Sequence, residues 1–185
     1  DAQESRGLGD VYKRQVEEAV RVAKLLEQYG CKGIEVSCGT VADGMVTMRS
    51  KHLPMEAVFQ YREPVASLPK WINKPVLLCA KAINPFIKQP QPLENFNADA
   101  ARKIKSAVSI PVILVGGIHR LSDMERFTSD GTADFVSLCR PFICEPNLVR
   151  KLREGKQTES KCLMCNYCGL VIEKEPTRCL YGKLK

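Results

Sequence analysis

The sequence predicts an α/β protein built on a parallel sheet. Short, nearly continuous apolar runs recur at Ile34-Glu35-Val36-Ser37, Pro111-Val112-Ile113-Leu114-Val115 and Ala133-Asp134-Phe135-Val136-Ser137-Leu138. Segments with apolar residues at helical spacing lie between and around them, and two of the runs end in residues suited to a ligand, Gly116-Gly117 and Cys139-Arg140. Strands apolar on both faces and joined by helices belong to parallel sheets whose two faces are covered.

The first fifteen residues, through Gln15, carry three acids and three bases, lack periodicity and do not begin with Met. They are expected to be a disordered or non-native extension. From Val16 the spacing of Ala19, Val20, Ala23 and Leu26 predicts a helix that Gly30 stops, before the run at Ile34. The stretch from Thr40 to about Asn95 is rich in Pro and Lys and is expected to be an excursion over the surface. Within it, Pro75-Val76-Leu77-Leu78-Cys79-Ala80 reads either as a fourth strand or as one side of a buried helix.

Regularity then returns. Asn97 is placed to cap a helix through Ala100, Ile104 and Ala107. Ser122 with Glu125 fits a capping box, and Gly131 can end that helix. Leu148, Leu152 and Gly155 mark a last helix and its stop. A closed eight-stranded barrel takes roughly 250 residues. A chain of 185 residues is therefore part of such a barrel or a smaller open sheet. The domain reading is an extension over 1–15, a partial barrel over 16–157 and a cysteine-rich segment over 158–185.

Composition narrows the function. Apolar content of 44% and charged content of 26% are ordinary for a globular protein. The longest apolar run, Ile110 to Ile118, is too short to span a bilayer, and no signal-peptide pattern opens the sequence, so a cytoplasmic protein without a membrane partner is expected. The net charge is +7, with basic residues on expected helices: Arg102, Lys103 and Lys105, then Arg150, Lys151 and Arg153. These read as solvated helix faces or as an attraction for an anion. No aromatic residues interleave with them, which argues against nucleic acid.

The two strand ends carry the first chemical signal. In a parallel sheet the residues after Val115 and after Leu138 leave from the same edge. Glycines there admit a ligand to the backbone N–H groups, and an arginine adds a charge-assisted contact, a pattern suited to phosphate. The alternative is a tight strand-to-helix turn at Gly116-Gly117, with Arg140 paired to a carboxylate.

Cysteine spacing carries the second. Nine cysteines include the cluster Cys162-x2-Cys165-x2-Cys168-x10-Cys179 within the last 24 residues. Thiolates at this spacing suit a [4Fe–4S] cluster or tetrahedral zinc. The other five, Cys31, Cys38, Cys79, Cys139 and Cys144, read as small buried hydrophobes.

The segments Ile34–Gly39, Ile110–Ile118 and Ala133–Ile143 resemble strands six, seven and eight of the NADH:flavin oxidoreductase family, also called the old yellow enzyme family. Glu145-Pro146-Asn147 resembles that family's acidic-Pro helix start. The resemblance runs from about Val16 to Cys179. It implies the C-terminal portion of a (β/α)8 TIM barrel with a Cys-rich tail. It also implies FMN, its phosphate held by backbone at Gly116, Gly117 and Cys139 and by the Arg140 side chain. The implied activity is hydride transfer from NAD(P)H through the flavin to an activated alkene or similar small-molecule acceptor. The 2,4-dienoyl-CoA reductase branch has a similar cysteine cluster, with one more residue between its second and third cysteines. By that likeness Cys162, Cys165, Cys168 and Cys179 are the expected metal ligands.

In that family the first five strands supply most flavin-ring contacts and the catalytic groups, and no segment here matches them. His52 and His119 stand outside any such motif and Tyr61 has no assigned role; His119 follows the Gly-Gly turn and is expected on an exposed loop, with phosphate-facing as the alternative. No catalytic residue is assigned, the chain alone is expected to be inactive, and self-association is left open. Two other classes fit the pattern: a non-flavin phosphate-binding barrel enzyme, for which Glu35 is the thin support, and a basic zinc-binding module.

Overall fold

The computed structural model of the chain describes residues 8–38, 49–50, 53–87, 91–171, 174 and 176–182. The chain falls into two units: residues 1–38, 95–118 and 122–137 in the first, and residues 39–94, 119–121 and 138–185 in the second.

The first unit holds the sheet. Its strands are β1 (Ile34–Val36), β2 (Val112–Val115) and β3 (Phe135–Ser137), all parallel in the order β1-β2-β3. Ile34 stands opposite Val112 and Ile113 opposite Phe135. The three apolar runs are thus the three strands seen among the described residues. β2 is central: Val112 and Leu114 are fully buried, and Ile113 and Val115 are half-buried on the other face. Helix α1 (Leu8–Gln28) packs against α4 (Ala98–Lys105), and α4 against β2. With α5 (Leu121–Ser129) contributing Phe127, the core gathers Ala23, Val36, Ala101, Ile104, Leu114, Ile118 and Ala133.

Polar contacts fix the strand starts. Asp134 accepts from the Val112 N–H at 2.7 Å and from Lys105 at 2.8 Å, while its own N–H donates to Val112 O. Lys105 is the main reason the Asp134 carboxyl is held below its ordinary range. Glu27, near the end of α1, accepts from the Ser109 and Ile110 N–H groups just before β2.

The second unit is helical. It contains α2 (Met55–Tyr61), α3 (Lys70–Ile83), α6 (Arg140–Cys144), α7 (Leu148–Arg153) and α8 (Tyr167–Leu170). α2 packs against α3 and α8.

Several expectations change. α1 begins at Leu8, so residues 8–15 are helical rather than disordered, and residues 1–7 lie outside the described residues. Of the two readings of Pro75–Ala80, the helix holds and the strand does not, but the helix is not a buried one. The run lies within α3, which buries no residue completely. Ile72, Asn73, Leu77 and Ala80 form its half-buried face while Leu78 and Cys79 face solvent, a helical pattern hidden when the run is read from Pro75 alone. The described part of the expected excursion is therefore largely helical. Ser122 is the second residue of α5 and not its cap. None of the five scattered cysteines is buried, and Cys79 and Cys139 are exposed. Among the described residues no helix is long and apolar enough to cross a membrane.

Gly116 has no room for a side chain. Its φ is +140°, and a Cβ there would stand 2.8 Å from both Asn97 Nδ2 and the Phe96 ring. Gly116→Ala combines backbone strain with overpacking and is expected to destabilise the chain by about 3 kcal/mol in urea denaturation. Gly131→Ala, with φ of +75° and nothing within 4 Å, is expected to cost about 1 kcal/mol by strain alone.

Candidate functional site

In the sheet unit, the chain leaves β2 directly into Gly116 and Gly117, with φ values of +140° and +70°. The segment Asn95-Phe96-Asn97 wraps this turn. Asn97 Nδ2 donates to Val115 O at 2.7 Å, Asn95 N–H to Gly117 O at 3.4 Å, and Asn95 Nδ2 to Asp123 Oδ2 at 3.0 Å. Asn97 does precede α4, but its side chain does not cap that helix. It satisfies the last carbonyl of β2 instead. The absent side chain at Gly116 is filled by Phe96 and Asn97, so local packing alone already demands glycine there. Gly117 supplies the turn's second left-handed residue.

In the second unit, Cys139 is the exposed residue before α6, and its carbonyl accepts from the Phe142 and Ile143 N–H groups. Arg140 opens that helix. Its Nη1 donates to Arg49 O at 3.0 Å, to Met164 O at 3.4 Å and to Asn166 Oδ1. The expected alternative of a carboxylate partner is thus replaced by two carbonyls and an amide. Met164 and Asn166 both have positive φ, and Asn166 is almost wholly buried. The guanidinium therefore pins the bends between Cys162 and Cys168.

The four cysteines of the motif come together. Cys162, Cys165, Cys168 and Cys179 line one cavity of about 100 Å³, together with Arg140, and Cys144 lines it too. Burial is the largest influence on Cys162, Cys165 and Cys168 and pushes all three thiols up, while the Arg140 charge pulls them down. Cys144 is pushed up to about 11, by burial first and then by Cys179 and Cys162. Among the described residues no group of three or more His, Cys, Asp or Glu stands in an arrangement that could hold a metal ion. The donor chemistry of a soft-metal site is present, but its closed geometry is not.

His119 is buried, contrary to the expected exposed loop. It lies 3.6 Å from Glu94, which also meets Arg120 at 3.4 Å. Arg120 bridges to Glu159, the His119 carbonyl accepts from Ser160 N–H, and Leu121 N–H donates to Thr158 O. These bonds anchor the chain just ahead of Cys162. A second cavity of about 310 Å³ is lined by Glu56, Lys81, Asn84, Cys165, Tyr167 and Tyr181, among others. Glu56 meets Lys81 at 2.7 Å and accepts from the Tyr167 hydroxyl at 2.7 Å. Glu35 is exposed in mid-strand, and His52 lies outside the described residues. Tyr61 closes α2, its hydroxyl accepting from Gln60. The basic residues Arg102, Lys105 and Lys151 are engaged with Thr132, Asp134 and Glu145.

Sequence reasoning missed Glu145 as a structural centre. It is 6% exposed and accepts from Lys151 Nζ at 2.8 Å, Ser160 Oγ at 3.2 Å and Lys161 N–H at 2.6 Å. Burial works to raise its pKa, but Lys151 and the Lys161 N–H outweigh it and bring the carboxyl to about 2 from an ordinary 4.5. Because the folded value is the lower one, the stabilisation is full above pH 4.5 and is lost as pH falls toward 2. It amounts to about 3 kcal/mol. Urea denaturation against pH should show that loss in the native chain. Glu145→Gln should be less stable at pH 7 and flatter across the same window.

Residues 47–159, more than half of the chain, match the model of the NADH:flavin oxidoreductase / NADH oxidase family. An NADH oxidase of Thermoanaerobacter brockii is 37% identical over 100 residues, covering 51% of this chain and 15% of that protein. A 4,4'-dithiodibutanoate disulfide reductase of Rhodococcus erythropolis is 29% identical over 168 residues, 89% of this chain and 38% of that protein. A bilirubin reductase of Mediterraneibacter gnavus is 38% identical over 72 residues, 38% of this chain and 11% of that protein. The chain thus spans well under half the length of these relatives, and no solved structure matches it. On the family match, which takes in the Gly116-Gly117 turn and the Cys139-Arg140 step, the chain belongs to the NADH:flavin oxidoreductase / NADH oxidase family.

Proposed function

We propose that this chain is the phosphate-side portion of an FMN-dependent, NAD(P)H-oxidising oxidoreductase, and that its parallel strands are the last strands of a (β/α)8 barrel. The observation that carries the reading is the family match over residues 47–159, which contains both strand ends singled out by their chemistry. β2 and β3 are parallel neighbours, so their C-terminal ends share an edge, where barrels of this kind place phosphate.

The residues proposed to hold the phosphate are Gly116, Gly117, Cys139 and Arg140. The two glycines would offer backbone without a side chain in the way, Cys139 its backbone, and Arg140 a charge held in place by carbonyl contacts. FMN, when bound, supplies the hydride-accepting chemistry, and the acceptor is proposed to be an activated alkene or similar small molecule. This chain's own part is to position the phosphate end.

The cysteine cavity is proposed to hold a [4Fe–4S] cluster through Cys162, Cys165, Cys168 and Cys179. Four motif thiols lining one small cavity beside a guanidinium support it, since a positive group favours thiolates. Location in the cytoplasm fits the unpaired cysteines.

FMN titration of the purified chain, read by flavin fluorescence, tests the first site. Arg140→Ala is expected to weaken binding by about 10-fold or more, the size of a charge-assisted contact, while Cys139→Ala leaves it unchanged because only backbone is used there. Equal affinity in Arg140→Ala would remove the residue from the site. Anaerobic reconstitution with iron and sulfide should give a broad visible absorption that Cys165→Ser abolishes. Zinc uptake without iron would favour the zinc-binding module.

A further inference from the structure

We infer that Cys144 and Cys179 are a thiol–disulfide pair, a modification site that takes low-molecular-weight disulfides. The cysteine motif accounts for four thiols, and the cavity they line has a fifth, Cys144, at the end of α6. Of the five scattered cysteines, Cys31, Cys38, Cys79 and Cys139 do not line it. Cys144 and Cys179 line the same small cavity, and Cys179 acts directly on the Cys144 thiol. Cys144 is held by the helix, whereas Cys179 belongs to a segment without helix or strand and can shift to reach bonding distance.

The chemistry balances as ordinary exchange. One cysteine thiolate attacks a sulfur of the small disulfide, giving a mixed disulfide and releasing one small thiol. The second cysteine, losing its proton, attacks the protein sulfur of that mixed disulfide and releases the second small thiol. Two protein thiols are oxidised and one small disulfide is reduced.

Cys179 is also one of the four ligands proposed above, so a cluster and the disulfide would compete for the same sulfur. In that respect the pair bears on the metal reading, but it does not need it. The pair would then be the resting form of an emptied centre, keeping Cys179 from stray oxidation.

The test uses the full chain, treated with a chelator under reducing conditions, desalted, and incubated with glutathione disulfide. Differential alkylation and peptide mapping by mass spectrometry read each cysteine. The expected product is a linked pair of peptides containing Cys144 and Cys179, with the intact mass lower by two hydrogen atoms. Cys144→Ser should instead stop at a glutathione adduct on Cys179. A main link from Cys179 to Cys162, Cys165 or Cys168 in the native chain, or Cys144 recovered wholly as free thiol, would overturn the inference. Because mapping of the native chain decides, a poorly folded variant does not obscure the result. A parallel sample loaded with iron and sulfide separates the two readings. Protection of Cys179 there agrees with both. Linking at an undiminished rate there counts against the metal reading and supports the pair.

Discussion

A ring and an amide pressed onto a bare Cα set the geometry of the sheet unit. Phe96 and Asn97 reach within 3 Å of where a Gly116 side chain would begin. That approach lets Asn97 satisfy the last carbonyl of β2 and brings Asn95 to Gly117 O and Asp123. The start of α4 is thereby bound to the end of β2, and α4 in turn covers β2. With three short strands among the described residues, the sheet has few ladder bonds there, so side-chain ties of this kind carry much of its definition. Asp134, joining Val112 to Lys105, does at the start of β2 what Asn97 does at its end.

The helical unit solves a different problem, that of placing charges where water is scarce. A buried carboxylate costs several kcal/mol unless it is paired and hydrogen-bonded. Glu145 meets that cost with Lys151, Ser160 and the Lys161 N–H. Among the described residues Arg140 is bonded to carbonyls and an amide rather than to a carboxylate, and its charge acts on the nearby thiols. The same guanidinium thus organises the cysteine loop and biases the thiols toward their charged form.

β2 was legible because burial on one face and half-burial on the other write the apolar run Val112 to Val115, whereas β1 and β3 were read from apolar composition although Glu35 and Phe135 are exposed. The cysteine grouping was legible because close spacing in sequence limits separation in space. Cys144 was not, since its place in the same cavity depends on how α6 and the tail fold, which local pattern does not encode. Glu145 was read only as part of a helix-start motif, because a buried carboxylate and an exposed one look alike until their donors are known. Asn97 was assigned the right place and the wrong bond: a cap and a cross-element tie use the same amide. The helix α3 was left undecided against a strand because the window opened at Pro75, after the turn that sets its phase at Ile72 and Asn73.

The chain ahead of Cys162 is held at three successive points: Thr158 O by Leu121, Ser160 N–H by His119, and Lys161 N–H by Glu145. The first thiol of the motif therefore starts from a fixed post rather than from a wandering strand of chain. Ordering a loop costs entropy that grows with the length left free, and here that length begins one residue before the first sulfur. The anchoring ends at Lys161, so Cys162 is the thiol of the motif whose placement costs least.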